Sequence, residues 1–279
     1  MLAPIVAPGQ YVRPRMPDRQ PCTRSTGAAR WLLGALAVLG VPLASAAAQT
    51  TNSFFVVLVF SKTMGFRHDS IPEGIAAIRA LGSEHGFTVD DTEDAGRFTD
   101  ATLARYKAIV FINTTGDILD RDQKAAFERY MRSGGGFVGI HSASDTEYQW
   151  PWYGRLVGTW FASHPQIQRA TVSIEDPDHP STKGLPPKWE RIDEWYNFRS
   201  NPRSAVHVLA SLDESTYSGG AMGTDHPIAW CQNIDGGRSW YTARWGTPKS
   251  PTPSRGFGYI CWVGSKCQGL PSALTLQWV

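Results

Sequence analysis

Residues 134–145 read Gly-Gly-Gly-Phe-Val-Gly-Ile-His-Ser-Ala-Ser-Asp. The glycines break the helical pattern before them, and Phe137 to Ile140 is an apolar run of strand length, so the stretch reads as a helix stop followed by a buried strand. His141, Ser142, Ser144 and Asp145 then follow at the carboxyl end of that strand. A side chain there sits at a sharp turn, where backbone N–H groups can converge on a ligand oxygen.

The same alternation extends upstream. Asp120 to Arg132 opens with acids and spaces Ala125, Phe127, Tyr130 and Met131 as a helix does. Ala108 to Ile112 (AIVFI) is a buried strand, Leu103 to Tyr106 belongs to a brief helix, and Phe87 to Asp90 is a short strand. Phe54 to Phe60 (FFVVLVF) is too short for a helix and apolar throughout, as a central parallel strand buried on both faces would be. After the loop SKTMGFRHDS, Pro72 starts a helix that carries Ile71, Ile75, Ile78 and Leu81 on one face and stops at Gly86.

Strand and helix in turn predict an α/β fold with a doubly wound, mostly parallel sheet. Beyond residue 150 the chain is richer in Trp, Pro and Gly, and the runs Ala170–Glu175, Ala205–Ser211, Ile228–Asn233 and Arg238–Ala243 add short antiparallel strands to the same domain. Ligands of such sheets bind outside the strands' carboxyl ends at a switch point. Three loops therefore share one rim: Ser61–Ser70, Asn113–Asp117 and His141–Asp145.

The first 48 residues carry five arginines and one acid, and the remainder holds 22 basic and 24 acidic side chains. With no basic patch left, nucleic acid is not an expected partner. Arginines up to Arg30, the apolar run Trp31–Leu43 and small residues to Ala48 form a secretory signal, with Met16 a more usual start than Met1. The apolar run is too short to anchor the chain in a bilayer, so the product is expected in the periplasm or outside the cell. Of Cys22, Cys231, Cys261 and Cys267 the first leaves with the signal, no metal-type CxxC exists, and Cys231 reads as an inert core thiol.

His141 could be a base, a metal ligand or a hydrogen-bonding wall. His68 lies in the first rim loop, and His164 in an aromatic loop that could close the pocket. Asp193-Glu194-Trp195-Tyr196-Asn197-Phe198 sets two carboxylates among aromatics, the composition of a sugar-binding wall or of a core strand, and His226 opens a strand. His85, His179 and His207 read as surface or turn residues. Four histidines with acids could hold zinc, yet none shows HxH or HExxH spacing. The sequence contains no P-loop or GxSxG, against P-loop nucleotide binding and serine-hydrolase chemistry.

Taken together, FRHDS (66–70), GGGFVGIHSASD (134–145), DEWYNF (193–198), HPIAW (226–230) and GGRSWYTA (236–243) resemble the ThuA-like, or trehalose-utilisation, family over about residues 54–245. The resemblance implies a flavodoxin-like fold of the class I glutamine amidotransferase type, with His141 where a glutaminase has its nucleophilic cysteine. Imidazole cannot form the thioester that glutamine hydrolysis uses, so no glutaminase activity is expected.

What the resemblance implies instead is sugar metabolism on a glycoside or keto-sugar. His141, Asp145 and Glu194 are then the catalytic candidates, and His68, Ser142, His164, Asp193, Tyr196 and His226 the substrate contacts. No cofactor is certain, and a divalent metal such as zinc stays open. The other reading is a non-catalytic carbohydrate-binding module built on Trp150, Trp152, Trp160, Trp195 and Tyr196; a weaker one is a partner module of a periplasmic oxidoreductase. Homo-oligomerisation stays open.

The tail departs from the family. After Ala243 the chain reads Arg-Trp-Gly-Thr-Pro, where the family continues Leu-Gly-His-Thr, and plausible codons for the former give the latter when read two bases later. Residues 246–279 are therefore expected to be a frameshifted tail, in which a site histidine and a packing helix are lost.

Overall fold

The computed structural model describes residues 55–244. The segments read as a signal (1–48) and as an altered tail (246–279), with Phe54, Trp245, Cys22, Cys261 and Cys267, lie outside the described residues.

Strand β1 (Phe55–Phe60) is followed by helix α1 (Ile71–His85), β2 (Phe87–Thr92), the short α2 (Asp100–Leu103), β3 (Tyr106–Ile112), α3 (Arg121–Arg132) and β4 (Gly136–Ile140). These elements match the alternation predicted, with bounds that differ: β2 runs on to Thr92, β3 starts at Tyr106 rather than Ala108, and the brief helix expected at Leu103–Tyr106 is α2. Helix α2 ends at Leu103, because Tyr106 is drawn into β3 by pairing with Val56 of β1.

Local chemistry explains the ends. Pro72 lies in the first turn of α1, and Gly86 closes it at φ 77° with its N–H on the Gly82 carbonyl. Asp120 caps α3 by accepting from the Asp122 and Gln123 amides, while the Gln123 side chain reaches back to the Asp120 amide. The buried face of α3 is Ala126, Phe127, Tyr130 and Met131, so Ala126 takes the place expected of Ala125.

Helix α4 (Pro151–Val157) lies between β4 and the second half, which contributes β5 (Phe161–Ser163), β6 (Gln168–Ile174), β7 (Lys188–Asp193), β8 (Asn197–Phe198), β9 (His207–Asp213), β10 (Pro227–Ile234) and β11 (Gly237–Thr242). The main sheet runs β2-β1-β3-β4-β11-β10-β9-β6-β7, and β5 pairs separately with β8. Neighbours from β2 through β11 are parallel; from β11 to β7 they are antiparallel. Asp235-Gly236, both at positive φ, make the tight turn from β10 into β11.

The order β2-β1-β3 means that the chain leaves β1 one way and returns on its other side, which puts the switch point beside β1 and β3. Phe60, Phe98, Phe111, Phe127, Phe137 and Tyr153 pack as a cluster of rings in the core. Among the described residues no helix is long and apolar enough to cross a membrane.

Gly158, after α4, sits at φ +100°, and a Cβ there would come within 2.5 Å of Trp230 Nε1. Trp230 donates that N–H to the Val157 carbonyl, so the ring cannot withdraw without losing a buried bond. Gly158→Ala is expected to cost about 2–4 kcal/mol from strained backbone and overpacking together, read as a lower midpoint in urea.

Candidate functional site

The three rim loops interlock. Met64 N–H donates to the Thr115 carbonyl at 2.8 Å, Gly116 N–H to the Asp145 carbonyl at 2.9 Å, and Asn113 Nδ2 to Ser70 Oγ at 3.3 Å. The third loop is a 3₁₀ turn, His141–Asp145, with His141 in the left-handed region at φ 53°. This sharp elbow is held from below. Tyr241, on β11, donates to the His141 carbonyl at 2.8 Å and lies 2.8 Å from Ser144 Oγ, and the Tyr153 hydroxyl donates to the Ala143 carbonyl at 2.7 Å.

The antiparallel half supplies the other wall, since the chain between β7 and β8 carries Glu194 and Tyr196 and His164 follows β5. His141 Nε2 is 3.0 Å from Glu194 Oε2 and 3.0 Å from the Tyr196 hydroxyl, while its Nδ1 is 2.9 Å from the Ala243 carbonyl. A carbonyl only accepts, so Nδ1 carries the proton there. His68 Nε2 lies 3.7 Å from Glu194 Oε2, and His164 Nε2 3.4 Å from Oε1. Ser142 Oγ is 3.4 Å from His68 Nδ1, and the Tyr196 ring stacks on His141 at 4.2 Å.

Burial by itself would raise the Glu194 carboxyl. It is outweighed by hydrogen bonds from His141 and His68 and by the charge of His141 and His164, which hold the group well below the carboxylate range. Burial, with the Glu194 charge beside it, pushes the Tyr196 phenol well up, so Tyr196 remains a donor.

The structure thus brings His68, His141, Ser142, His164, Glu194 and Tyr196 together. Three other predicted residues stand apart. Asp145 accepts from the Tyr148 hydroxyl at 2.5 Å instead of partnering His141, and burial raises its carboxyl against that bond. Asp193 is fully buried and spends its oxygens on Arg191 Nε at 2.9 Å and the Glu194 amide at 3.0 Å; burial raises it against the Arg191 charge. His226, also fully buried, supports Tyr196 from behind, with Nε2 2.8 Å from the Tyr196 carbonyl and Nδ1 2.8 Å from Glu214 Oε1.

The predicted aromatic wall is largely core. Trp150, Trp152, Trp195, Tyr196 and Phe198 are buried, and Trp160 is half-buried. The exposed ring at the site is Phe66, 70% accessible, which meets His68 edge-on at 4.9 Å. Tyr241, Tyr148 and the Ala243 carbonyl went unnoticed in the sequence; the GGRSWYTA motif hinted at Tyr241 and Ala243, and nothing at Tyr148. Cys231 is buried as expected, but His179 is buried too, not on the surface, with Nε2 3.7 Å from Cys231 Sγ and Nδ1 2.7 Å from Ser181 Oγ.

A separate cleft of about 390 Å³ lies on the antiparallel half, lined by Ser211, Asp213, Glu214, Ser215 and Thr224 among others. None of the clustered histidines lines it. Chemistry, not cavity size, therefore selects the candidate site.

A family model described as ThuA, trehalose utilisation, matches residues 56–250. The chain belongs to the ThuA family. A crystal structure described as a ThuA-like protein from Bacteroides uniformis is 26% identical, with 73% of this chain and 85% of that one covered and a TM-score of 0.57. Another ThuA-like protein, from Parabacteroides merdae, is 20% identical over 68% of this chain and 79% of that one, also at TM-score 0.57. A search of curated proteins finds no match. The α/β fold with its mixed sheet is thus that of the ThuA family, and the rim cluster lies inside the matched region.

The ThuA-family domain also carries a pH dependence of its own. Burial lowers the pKa of His179 and of His226, so each holds its proton less readily folded than unfolded. As pH falls through the unfolded histidine value of about 6.5, the unfolded chain takes up protons that the folded chain refuses, and stability declines. The thermal midpoint is expected to be lower at pH 5 than at pH 7.5, and His179→Asn to flatten that slope. An unchanged slope in the variant contradicts this assignment.

Proposed function

We propose that this chain is an exported enzyme of carbohydrate metabolism that moves a proton on a glycoside or keto-sugar. The observation that carries the reading is the convergence of His68, His141 and His164 on the single carboxylate of Glu194. A module that only binds sugar needs an aromatic groove and no such cluster.

The groups differ in exposure, and that assigns their roles. His141 is 2% accessible and serves as a polar anchor behind Glu194, fixed by Ala243 and Tyr196. Glu194, held ionised, is too weak a base to take a proton itself; it orients the imidazoles. His164 is the most exposed of the three, at 39% for its side chain, and its Nδ1 lies 2.8 Å from the Pro165 carbonyl, so Nε2 is the atom offered to substrate as acid or base. The exposed Phe66 ring can stack on the apolar face of a sugar.

The test is a screen of the purified protein against disaccharides and their 3-keto derivatives. His164→Ala is expected to lower kcat on any responsive sugar by roughly 10²–10⁴-fold, as loss of a general acid–base group does, with KM little changed. Wild-type turnover of every responsive sugar by the variant contradicts the reading. Glutamine hydrolysis is expected to be absent, because the elbow presents imidazole where a thiolate would be needed. Export is checked by the amino-terminal sequence of protein recovered outside the cytoplasm, expected to begin just after Ala46 or Ala48.

A further inference from the structure

The geometry points to a divalent transition-metal site made by His68 Nε2, His141 Nε2 and a Glu194 carboxylate oxygen, with zinc the best-suited ion. One ligand atom from each of the three residues lies within 4.8 Å of the other two. Glu194 Oε2 is 3.0 Å from His141 Nε2 and 3.7 Å from His68 Nε2. Ligand atoms about 2.0–2.2 Å from a tetrahedral zinc stand about 3.4 Å apart, so the two distances bracket the required separation.

A second observation is the engagement of the far ring nitrogens. A metal-binding imidazole is neutral and usually gives its other N–H to a carbonyl, carboxylate or water, which fixes the tautomer and aims the lone pair. His141 Nδ1 does this with the Ala243 carbonyl at 2.9 Å, and His68 Nδ1 faces Ser142 Oγ at 3.4 Å. An entering cation takes the place of the Nε2 protons that otherwise bond Glu194, so that both ring nitrogens and the carboxylate become its donors. The elbow that carries His141 is held by the buried Tyr241 hydroxyl, so the ligand is fixed before any ion arrives.

The donor set narrows the ion. Two imidazoles and one carboxylate without thiolate suit zinc or another divalent first-row metal, and disfavour copper(I), magnesium and calcium. Three protein ligands leave a coordination position for water or for a substrate oxygen, as catalytic zinc sites do. His164 stands on the other side of the carboxylate, by Oε1, and stays outside the ligand set as the acid–base group. The metal deepens the proposed function by naming what would polarise the sugar oxygen, and it rests on that reading only for this use.

The experiment titrates the full, untagged, metal-stripped chain with Zn²⁺ alone by calorimetry, and with Co²⁺ alone by visible absorption. One equivalent is expected to bind, with His68→Ala and Glu194→Gln each weakening it by roughly 100-fold or more. His207→Ala, at an exposed histidine paired with Asp176, is expected to leave affinity unchanged. Thermal melts of each variant, with His68→Gln as a milder second change, separate lost ligation from lost folding. The site is overturned if the wild-type chain takes up neither ion at micromolar concentration, or if binding is equal in wild type and in both ligand variants. Sugar turnover that persists in metal-free protein leaves the function standing without the metal, whereas stoichiometric binding without turnover of any sugar does the reverse.

Discussion

Glu194→Gln is expected to lower kcat/KM on any responsive sugar by at least about a thousandfold, which is about 4 kcal/mol of transition-state stabilisation. The amide keeps the size and removes the charge on which His68, His141 and His164 converge. Among the described residues, Glu194 is the one side chain paired with all three imidazoles.

The same variant has a signature in stability. The folded Glu194 carboxyl is held well below its ordinary value, so its contribution is fully present above the unfolded carboxyl pKa of about 4.3 and is lost as pH falls through the folded value. Wild type is therefore expected to be more stable than Glu194→Gln near neutral pH, with the gap closing in strong acid. Equal thermal midpoints at neutral pH would remove the basis for an ionised, stabilised carboxylate.

Phe111→Ala is the substitution expected to damage the fold most. Phe111 is fully buried on β3 and lies between 5.3 and 5.9 Å, centroid to centroid, from Phe60, Phe98, Phe127, Phe137 and Tyr153. Those rings come from β1, α3, β4, α4 and the loop after β2, so no one element can move to fill the space. A Phe-to-Ala cavity of this kind costs roughly 3–5 kcal/mol, a large share of the 5–15 kcal/mol typical of a whole domain. The thermal midpoint should fall by about 10 °C, measured by circular dichroism. A shift of a degree or two would mean that the cluster repacks around the loss.

The parallel half could be read ahead of the structure because its signals are local. FVVLVF, AIVFI and GFVGI are apolar throughout, the residue pattern of strands covered on both faces, and Asp120, Gly86 and Gly134 mark helix ends by backbone chemistry that needs no distant partner. Helix α4 and strands β5 and β7 went unread, and β8 was offered only as part of a core strand over 193–198. Their side chains are set by what packs over them: Trp150 and Trp152 stack at 5.1 Å against the ring cluster, a burial that composition alone presents as an aromatic surface.

The site divides along the same line. His141, at the end of a strand and after three glycines, announces itself. Glu194 and Asp193 are adjacent in sequence and opposite in fate: one faces three histidines, while the other lies under Arg191 in the interior. His226 looks like a site residue and is a buried support for Tyr196, whereas His179 looks like a turn residue and is buried beside Cys231.

The sequence by itself determined the fold class, the rim on which the histidine cluster sits, the elbow histidine and the absence of the cysteine that glutamine hydrolysis needs. All of these follow from neighbours within a few residues, through strand periodicity, helix ends and the identity of one side chain. Only the tertiary structure decided which groups meet. His68, His141, His164 and Glu194 are spread over 127 positions, from 68 to 194, and become neighbours because β1, β4, β5 and β7 deliver their ends to one place. Proximity between residues so far apart depends on the path of the whole chain, and no local pattern encodes it.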